Sequence, residues 1–174
     1  MEGLLYMEHK VIEKFLPTYK YKQLENVMLG DKFPWYYNKS TDYKDGISMF
    51  THNIFIDGQG VSTIYKDMEN ILDGLSAHID FEEIVRIKAN LYTNRNKELK
   101  MGKHKDFSDM KDYYSCVYQL NGNNGKTVIE DGDKSHEIST SVGNQMLIFD
   151  GDTNHYGTTQ TDEEARIVIN VVVK

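Results

Sequence analysis

Cysteine is nearly absent from this 174-residue chain: Cys116 stands alone, which excludes an internal disulfide framework and any zinc site built from cysteines of this chain. Proline occurs only at Pro17 and Pro34, so there is no proline-rich linker. Long apolar runs are missing as well. Val171 to Val173 with its neighbours falls far short of the ~20 residues that span a bilayer. The stretch from Met1 to Lys10 carries Glu2 and Glu8 and lacks the apolar segment of a secretory leader, so no signal peptide is expected and a cytosolic, reducing location is the default. Nor is there an excess of basic residues. Twenty Lys and Arg against 27 Asp and Glu leave a formal charge of −7, which counts against nonspecific nucleic-acid or anionic-membrane partners. The apolar share of 39 % is ordinary for a folded chain and argues against wholesale disorder.

The chain reads as one domain, residues 1–174, with a helical front (1–80) that supports a strand-rich back (81–174). Val11 to Leu16 predicts a short strand stopped by Pro17. Thr18 is placed to cap a helix from Tyr19 to Leu29, ended by Gly30. Ile47 to Ile56 reads as extended. Ser62 is placed to cap a second helix, in which Ile64, Met68, Ile71, Leu72 and Leu75 recur at helical spacing. Further strands are expected at Ile84–Tyr92, Tyr113–Leu120, Lys126–Ile129, Gln145–Phe149 and Ala165–Val173. Turn signals separate them at Asn121–Gly125, Asp131–Gly132, Val142–Asn144 and Asp150–Gly151. Short strands at such spacing predict a mainly β architecture with flanking helices (α+β), a sandwich or barrel of which the jelly roll, or double-stranded β-helix, is one kind.

The chemistry-bearing residues lie in the back. In an extended segment, side chains two apart point the same way, so His104 and Asp106 of His104-Lys105-Asp106 can share a metal at a strand end. His155, ahead of the last strand, supplies a third ligand. Two histidines and one carboxylate with open positions form the facial triad of non-haem Fe(II) oxygenases, and the open positions let an oxoacid chelate the iron and leave room for O2. Arg166 interrupts an otherwise apolar strand, Ala165 to Val171. A buried guanidinium there needs a partner, and a dicarboxylate provides one through a forked, charge-assisted pair. Its period-2 neighbours Val168 and Asn170 are expected on the same inward face, with Asn170 a further candidate contact to the bound acid. An intramolecular salt bridge at an edge strand is the alternative for Arg166.

Other signals carry less. Gly122 to Thr127 lacks the first glycine of a phosphate loop and leads into a strand. Asp150 to Asn154 lacks the glycine and glutamate of a calcium loop. Arg95, Lys97, Lys100, Lys103 and Lys105 read either as a basic rim that attracts an acidic substrate or as a solvated loop.

In the order His104-x-Asp106, His155, Arg166, the chain resembles the Fe(II)/2-oxoglutarate-dependent dioxygenase superfamily, and within it the prolyl-hydroxylase-like branch. The resemblance covers Val85 to Lys174, and more loosely the front, where Phe15-Leu16-Pro17 looks like the leading strand of such proteins. Gly125-Lys126-Thr127-Val128-Ile129 resembles a glycine-led strand of the branch, and Val142 to Phe149 resembles the strand before its distal histidine. By the same resemblance Tyr92 contacts 2-oxoglutarate. Gln119 stands where relatives often place another tyrosine and is a further candidate for that acid. The resemblance implies a metal-binding oxidoreductase that uses Fe(II), 2-oxoglutarate and O2, hydroxylates an unactivated C–H bond, and releases succinate and CO2. The substrate it implies is a prolyl or other peptidyl residue. The same chemistry on a small molecule or an alkylated nucleobase is the alternative, and a non-catalytic jelly-roll binding module is a third reading.

Overall fold

The computed structural model describes residues 9–41 and 45–174; the expectation about a leader falls largely on residues 1–8, outside the described ones. The elements run β1 (Lys10–Glu13), α1 (Thr18–Met28), β2 (Tyr36–Asn38), β3 (Met49–Ile56), β4 (Gln59–Gly60), a 3-10 turn (Thr63–Met68) leading into α2 (Glu69–Ser76), β5 (Ile84–Thr93), β6 (Tyr114–Gln119), β7 (Asn123–Asp131), β8 (Lys134–Thr140), β9 (Gln145–Asp150), β10 (Asn154–Gly157) and β11 (Ala165–Val173). Two antiparallel sheets result. The large one has the order β1-β9-β6-β11-β5-β3-β2, with β4 paired to β3, and the small one has the order β10-β7-β8. This is the expected jelly-roll arrangement with helices outside it. Among the described residues, no helix is long and apolar enough to cross a membrane.

Period-2 alternation decides which face of the large sheet does what. On β11, Ile167, Ile169, Val171 and Val173 face a core shared with Leu24 and Met28 of α1 and Ile71 and Leu75 of α2. On β5, Ile87 and Ala89 join that core. The alternate residues Arg166, Val168 and Asn170 of β11, and Arg86, Lys88, Asn90 and Tyr92 of β5, line a cavity on the opposite face. The small sheet closes over this side, where Ile129 and Ile138 pack with Val117, Leu147, Phe149 and Val168. Strands β5 and β6 flank β11 in the middle of the large sheet, so the strand bearing Arg166 is central and its arginine is not at an edge.

The front differs in detail from expectation. Thr18 is the first residue of α1; the cap position is Pro17, and no side chain caps the helix. The fixed φ of proline suits the start of a helix but leaves its first amides without a side-chain acceptor. Ser62 does cap, its hydroxyl accepting from the Ile64 amide, although the first turns it opens are 3-10. Asn123 to Gly125 belong to β7 rather than to a turn, because the register shift between Asn123 and Lys126 absorbs the glycine as a bulge.

Candidate metal centre and anion pocket

His104 does not lie in a regular strand. It forms an isolated antiparallel bridge with His155 of β10, in which the His104 amide donates to the His155 carbonyl at 3.0 Å and the His155 amide to the His104 carbonyl at 2.9 Å. The segment between β5 and β6 is thus pinned to the small sheet and not extended as a strand of its own. A second tether comes from Asp45, whose carboxylate accepts from the Gly102 amide at 3.1 Å. The bridge brings the two imidazoles to a centroid separation of 4.5 Å.

Each imidazole is oriented by its own chain. His104 Nδ1 lies 3.0 Å from the Gly102 carbonyl and His155 Nδ1 lies 3.2 Å from the Thr153 carbonyl. A carbonyl only accepts, so the proton of each neutral ring sits on Nδ1 and the lone pair on Nε2. His155 Nε2 faces Asp106 Oδ2 at 3.8 Å. One ligand atom from each of His104, Asp106 and His155 lies within 4.8 Å of the others. Two imidazole nitrogens and one carboxylate oxygen suit a borderline divalent cation such as Fe(II). All three residues line one cavity.

Asp106 is held by three donors. Arg86 Nη2 donates to Oδ1 at 2.6 Å, and Ser115 Oγ and Asn170 Nδ2 donate to Oδ2 at 2.6 and 3.1 Å. Burial pushes this carboxyl up, but His155, Arg86, Ser115 and Asn170 together hold it below its ordinary range, so it is ionised and ready to ligate. Burial lowers the His155 pKa below that of a free imidazole, against the opposing pull of Asp106; this favours the neutral ring that a metal needs.

Arg166 lies at the other end of the cavity. It is 1 % exposed, and burial lowers its pKa. Its guanidinium donates to Thr127 Oγ1 at 3.0 Å, Gln119 Oε1 at 3.3 Å and the Thr158 carbonyl at 3.4 Å. All three partners are neutral, Nε has no partner, and among the described residues no carboxylate pairs with it. The Tyr92 ring lies 5.6 Å away. Burial pushes the Tyr92 pKa up to about 12, so the phenol stays neutral. Two glycines make room: a Cβ at Gly125 would meet Arg166 Cδ at 2.6 Å, and one at Gly157 would meet Arg166 Nη1 at 3.2 Å. A buried cation without a counter-charge among the described residues, facing a cavity that also holds a triad of ligand atoms, suits an anionic ligand.

The structure therefore gathers His104, Asp106 and His155 at one place and Arg166 and Tyr92 at another within one cavity of about 250 Å³, whereas Gln119, a further candidate for the acid, does not line it and instead bonds Arg166 and Thr127. Asn170 stands with the triad rather than with Arg166, donating to Asp106 and accepting from Arg86 at 2.8 Å. The basic rim is largely engaged: Lys103 pairs with Glu130 and Lys105 with Asp152, Lys100 lies over the Tyr156 ring, and Arg95 bonds Ser48. Sequence reasoning overlooked Arg86, Ser115 and Thr127. Arg86 carried a signal: it interrupts an apolar strand just as Arg166 does.

No protein-family model matches this chain, and no curated protein sequence does. Its fold does match solved structures. An oxidoreductase of the 2OG-Fe(II) oxygenase family from Burkholderia pseudomallei superposes with a TM-score of 0.71 at 15 % identity, over 95 % of this chain and 84 % of that one. A prolyl-4-hydroxylase from Pseudomonas putida gives 0.62 at 16 % identity, over 95 % and 91 %. A prolyl hydroxylase from Trichoplax adhaerens, in complex with a hypoxia-inducible-factor peptide fragment, gives 0.66 at 13 % identity, over 95 % and 82 %. At this level of identity, what is shared is the fold.

Proposed function

We propose that this protein is an Fe(II)- and 2-oxoglutarate-dependent oxygenase that hydroxylates an unactivated C–H bond and releases succinate and CO2. The observation that carries the reading is the pairing, in one cavity, of three converging ligand atoms with a buried arginine that has no counter-charge among the described residues. Structures of the same fold that are 2OG-Fe(II) oxygenases support it.

In this reading His104, Asp106 and His155 would hold the metal, with Ser115, Asn170 and Arg86 keeping the carboxylate turned toward the histidines. Arg166 takes the distal carboxylate of 2-oxoglutarate, with Thr127 and Gln119 fixing the plane of its guanidinium and Tyr92 walling the acid's carbon chain. When bound, Fe(II) supplies the activation of O2 that no side chain here can perform. Burial of Arg166 and Tyr92 keeps water away from the co-substrate. Two structural neighbours are prolyl hydroxylases, which supports a peptidyl residue, proline included, as substrate. The cavity of about 250 Å³, below the ~300–1,000 Å³ of common ligand sites, favours insertion of a single side chain or a small molecule. Action in a reducing compartment suits the lone, buried Cys116.

The test is anaerobic titration. Fe(II) followed by 2-oxoglutarate is expected to produce a visible metal-to-ligand charge-transfer band at one equivalent per chain, and admission of O2 is expected to yield succinate. His104→Ala and His155→Ala are expected to lose both the bound iron and the band while retaining the far-ultraviolet signature of the sheets. Full iron occupancy in both variants refutes the site.

A further inference from the structure

Two of the three ligand residues, His104 and Asp106, stand in residues 94–113, which form neither helix nor regular strand. Asp106 is braced there by side chains, those of Arg86, Ser115 and Asn170. His104 is braced through the backbone. The Met101 amide donates to the Gly157 carbonyl and the His104 amide to the His155 carbonyl, each at 3.0 Å, so the chain is pinned at residue 101 and again at residue 104. Gly102 lies between the pins, and its carbonyl is the one that meets His104 Nδ1 at 3.0 Å. Without a Cβ, Gly102 restricts its own backbone dihedrals little. The direction of that carbonyl therefore depends on what holds Gly102 from outside.

Asp45 holds it. Its Oδ2 accepts from the Gly102 amide at 3.1 Å, across 57 residues of sequence, and also from the Thr41 hydroxyl. Its Oδ1 accepts from Ser40 Oγ at 2.8 Å, the Ile47 amide at 2.9 Å and the Thr41 amide at 3.2 Å. Burial pushes this carboxyl up, but the hydrogen bonds from Thr41, Ile47, Ser40 and Gly102 hold it below its ordinary range, so it meets the Gly102 amide as an ionised, charge-assisted acceptor. The two oxygens divide the work. Oδ1 gathers Ser40, Thr41 and Ile47, whereas Oδ2 reaches across to the loop that carries the ligand. Thr41 itself lines the cavity with the ligands, so one carboxylate joins a cavity-lining residue to the backbone that orients His104.

We propose that Asp45 is a positioning residue for the metal centre: by holding the Gly102 amide it aims the Gly102 carbonyl at His104 Nδ1, which keeps the ring proton on Nδ1 and the lone pair on Nε2. This inference rests on His104 being a metal ligand, as assigned under the proposed function. It adds a residue from the front of the chain, touching none of the ligand side chains, on which the readiness of one of them depends.

The decisive substitution is Asp45→Asn. The amide keeps one oxygen and exchanges the other for an NH2 group. The oxygen stays on the Oδ1 side, because reversing the amide would give up three donors for the sake of two. The NH2 then faces the Gly102 amide, donor against donor, while the Thr41 hydroxyl can turn to accept. The contacts of Oδ1 survive and the tether to Gly102 is lost. Ser40→Ala is the control, since it loosens the same carboxylate on its Oδ1 side and leaves the tether in place.

Three measurements on the full chain test the proposal. In the metal-free, 15N-labelled protein, long-range 1H–15N correlation at about pH 8, where an imidazole is neutral, is expected to show the Nδ1–H form of His104 in the parent and in Ser40→Ala, and a mixture or the Nε2–H form in Asp45→Asn. Anaerobic titration with Co(II), followed by its visible bands, is expected to show binding about ten- to a hundredfold weaker in Asp45→Asn and unchanged in Ser40→Ala. In the metal-free parent, the Gly102 amide is expected to exchange with solvent at least about tenfold more slowly than an unstructured glycine amide. A parental value of either the tautomer or the Co(II) affinity in Asp45→Asn overturns the proposal. An equal loss in Ser40→Ala does so too, because the tether would then not be what matters. Unprotected exchange at Gly102 overturns it without any variant, and so decides the matter even if Asp45→Asn fails to fold. A parent that takes up Co(II) while Asp45→Asn matches it refutes this inference alone; a parent that takes up none refutes the reading beneath it.

Discussion

Replacing Arg166 with methionine separates function from stability, because the two effects have opposite signs. In the unliganded protein the guanidinium is 1 % exposed and gains only hydrogen bonds of 3.0, 3.3 and 3.4 Å to neutral acceptors. Those are worth about 1 kcal/mol each, whereas burial of an uncompensated cation costs several kcal/mol. Methionine is shorter but flexible and apolar, and it replaces the aliphatic stem of the arginine beside Gly125 without a charge. Gln119 and Thr127 keep each other, since Gln119 Nε2 donates to Thr127 Oγ1 at 3.1 Å. The unliganded Arg166→Met protein is therefore expected to melt at the same temperature as the parent or a few degrees higher, at ~2–4 °C per kcal/mol for a chain of this size. Binding moves the other way. A forked pair to the distal carboxylate comprises two charge-assisted bonds of about 1.5–3 kcal/mol each, so its loss weakens 2-oxoglutarate binding by roughly 10²- to 10⁴-fold. The assays are thermal unfolding of the metal-free protein and anaerobic titration of the charge-transfer band. Arg166→Lys, which keeps the charge and loses the fork, is expected between the two. A variant that titrates like the parent yet melts ten degrees lower would show that Arg166 is a structural residue, and the co-substrate assignment would lose its support.

Three further outcomes follow from the geometry. Gly125→Ala sets a Cβ 2.6 Å from Arg166 Cδ and is expected to weaken 2-oxoglutarate binding at least tenfold while iron binding changes little; an unshifted co-substrate titration would show that the arginine can give way. Asn144 bonds both the Leu16 amide and its carbonyl at 2.9 Å and accepts from the Tyr118 hydroxyl, with φ of +49°. Asn144→Ala is expected to cost about 2–4 kcal/mol in denaturant unfolding, and a loss under 1 kcal/mol would refute that tie. The third concerns pH. The folded pKa of His155 lies below the ordinary 6.5, so the unfolded chain takes up its proton first, and stability of the metal-free protein is expected to fall as pH drops below about 6.5 until the lowered folded value is passed. Asp106, held below 3.8, contributes stability that is present above that value and is lost only as pH falls further, through its folded pKa. Melting temperatures from pH 8 to 5 should therefore decline in the parent and less in His155→Gln; identical slopes would sink the assignment.

Much of this protein was legible one residue at a time. Alternation in Ala165 to Val173 is a local property of a strand, so the inward set Arg166, Val168 and Asn170 could be read before any partner strand was known. The helical recurrence of Ile64, Met68, Ile71 and Leu75 located the second helix in the same way. His104, Asp106 and His155 were singled out because few residue types ligate a divalent metal and their order along the chain is informative. What sequence does not encode locally is which side chains share a neighbourhood across it. The backbone bridge between His104 and His155, the rotation of Asn170 onto Asp106 rather than toward Arg166, the bulge that folds Asn123 to Gly125 into β7 and the alignment of Arg86 and Lys88 beside the triad all depend on strand pairing between segments up to about ninety residues apart. Register between distant strands is selected by the packing of whole faces, and only the tertiary structure decides it.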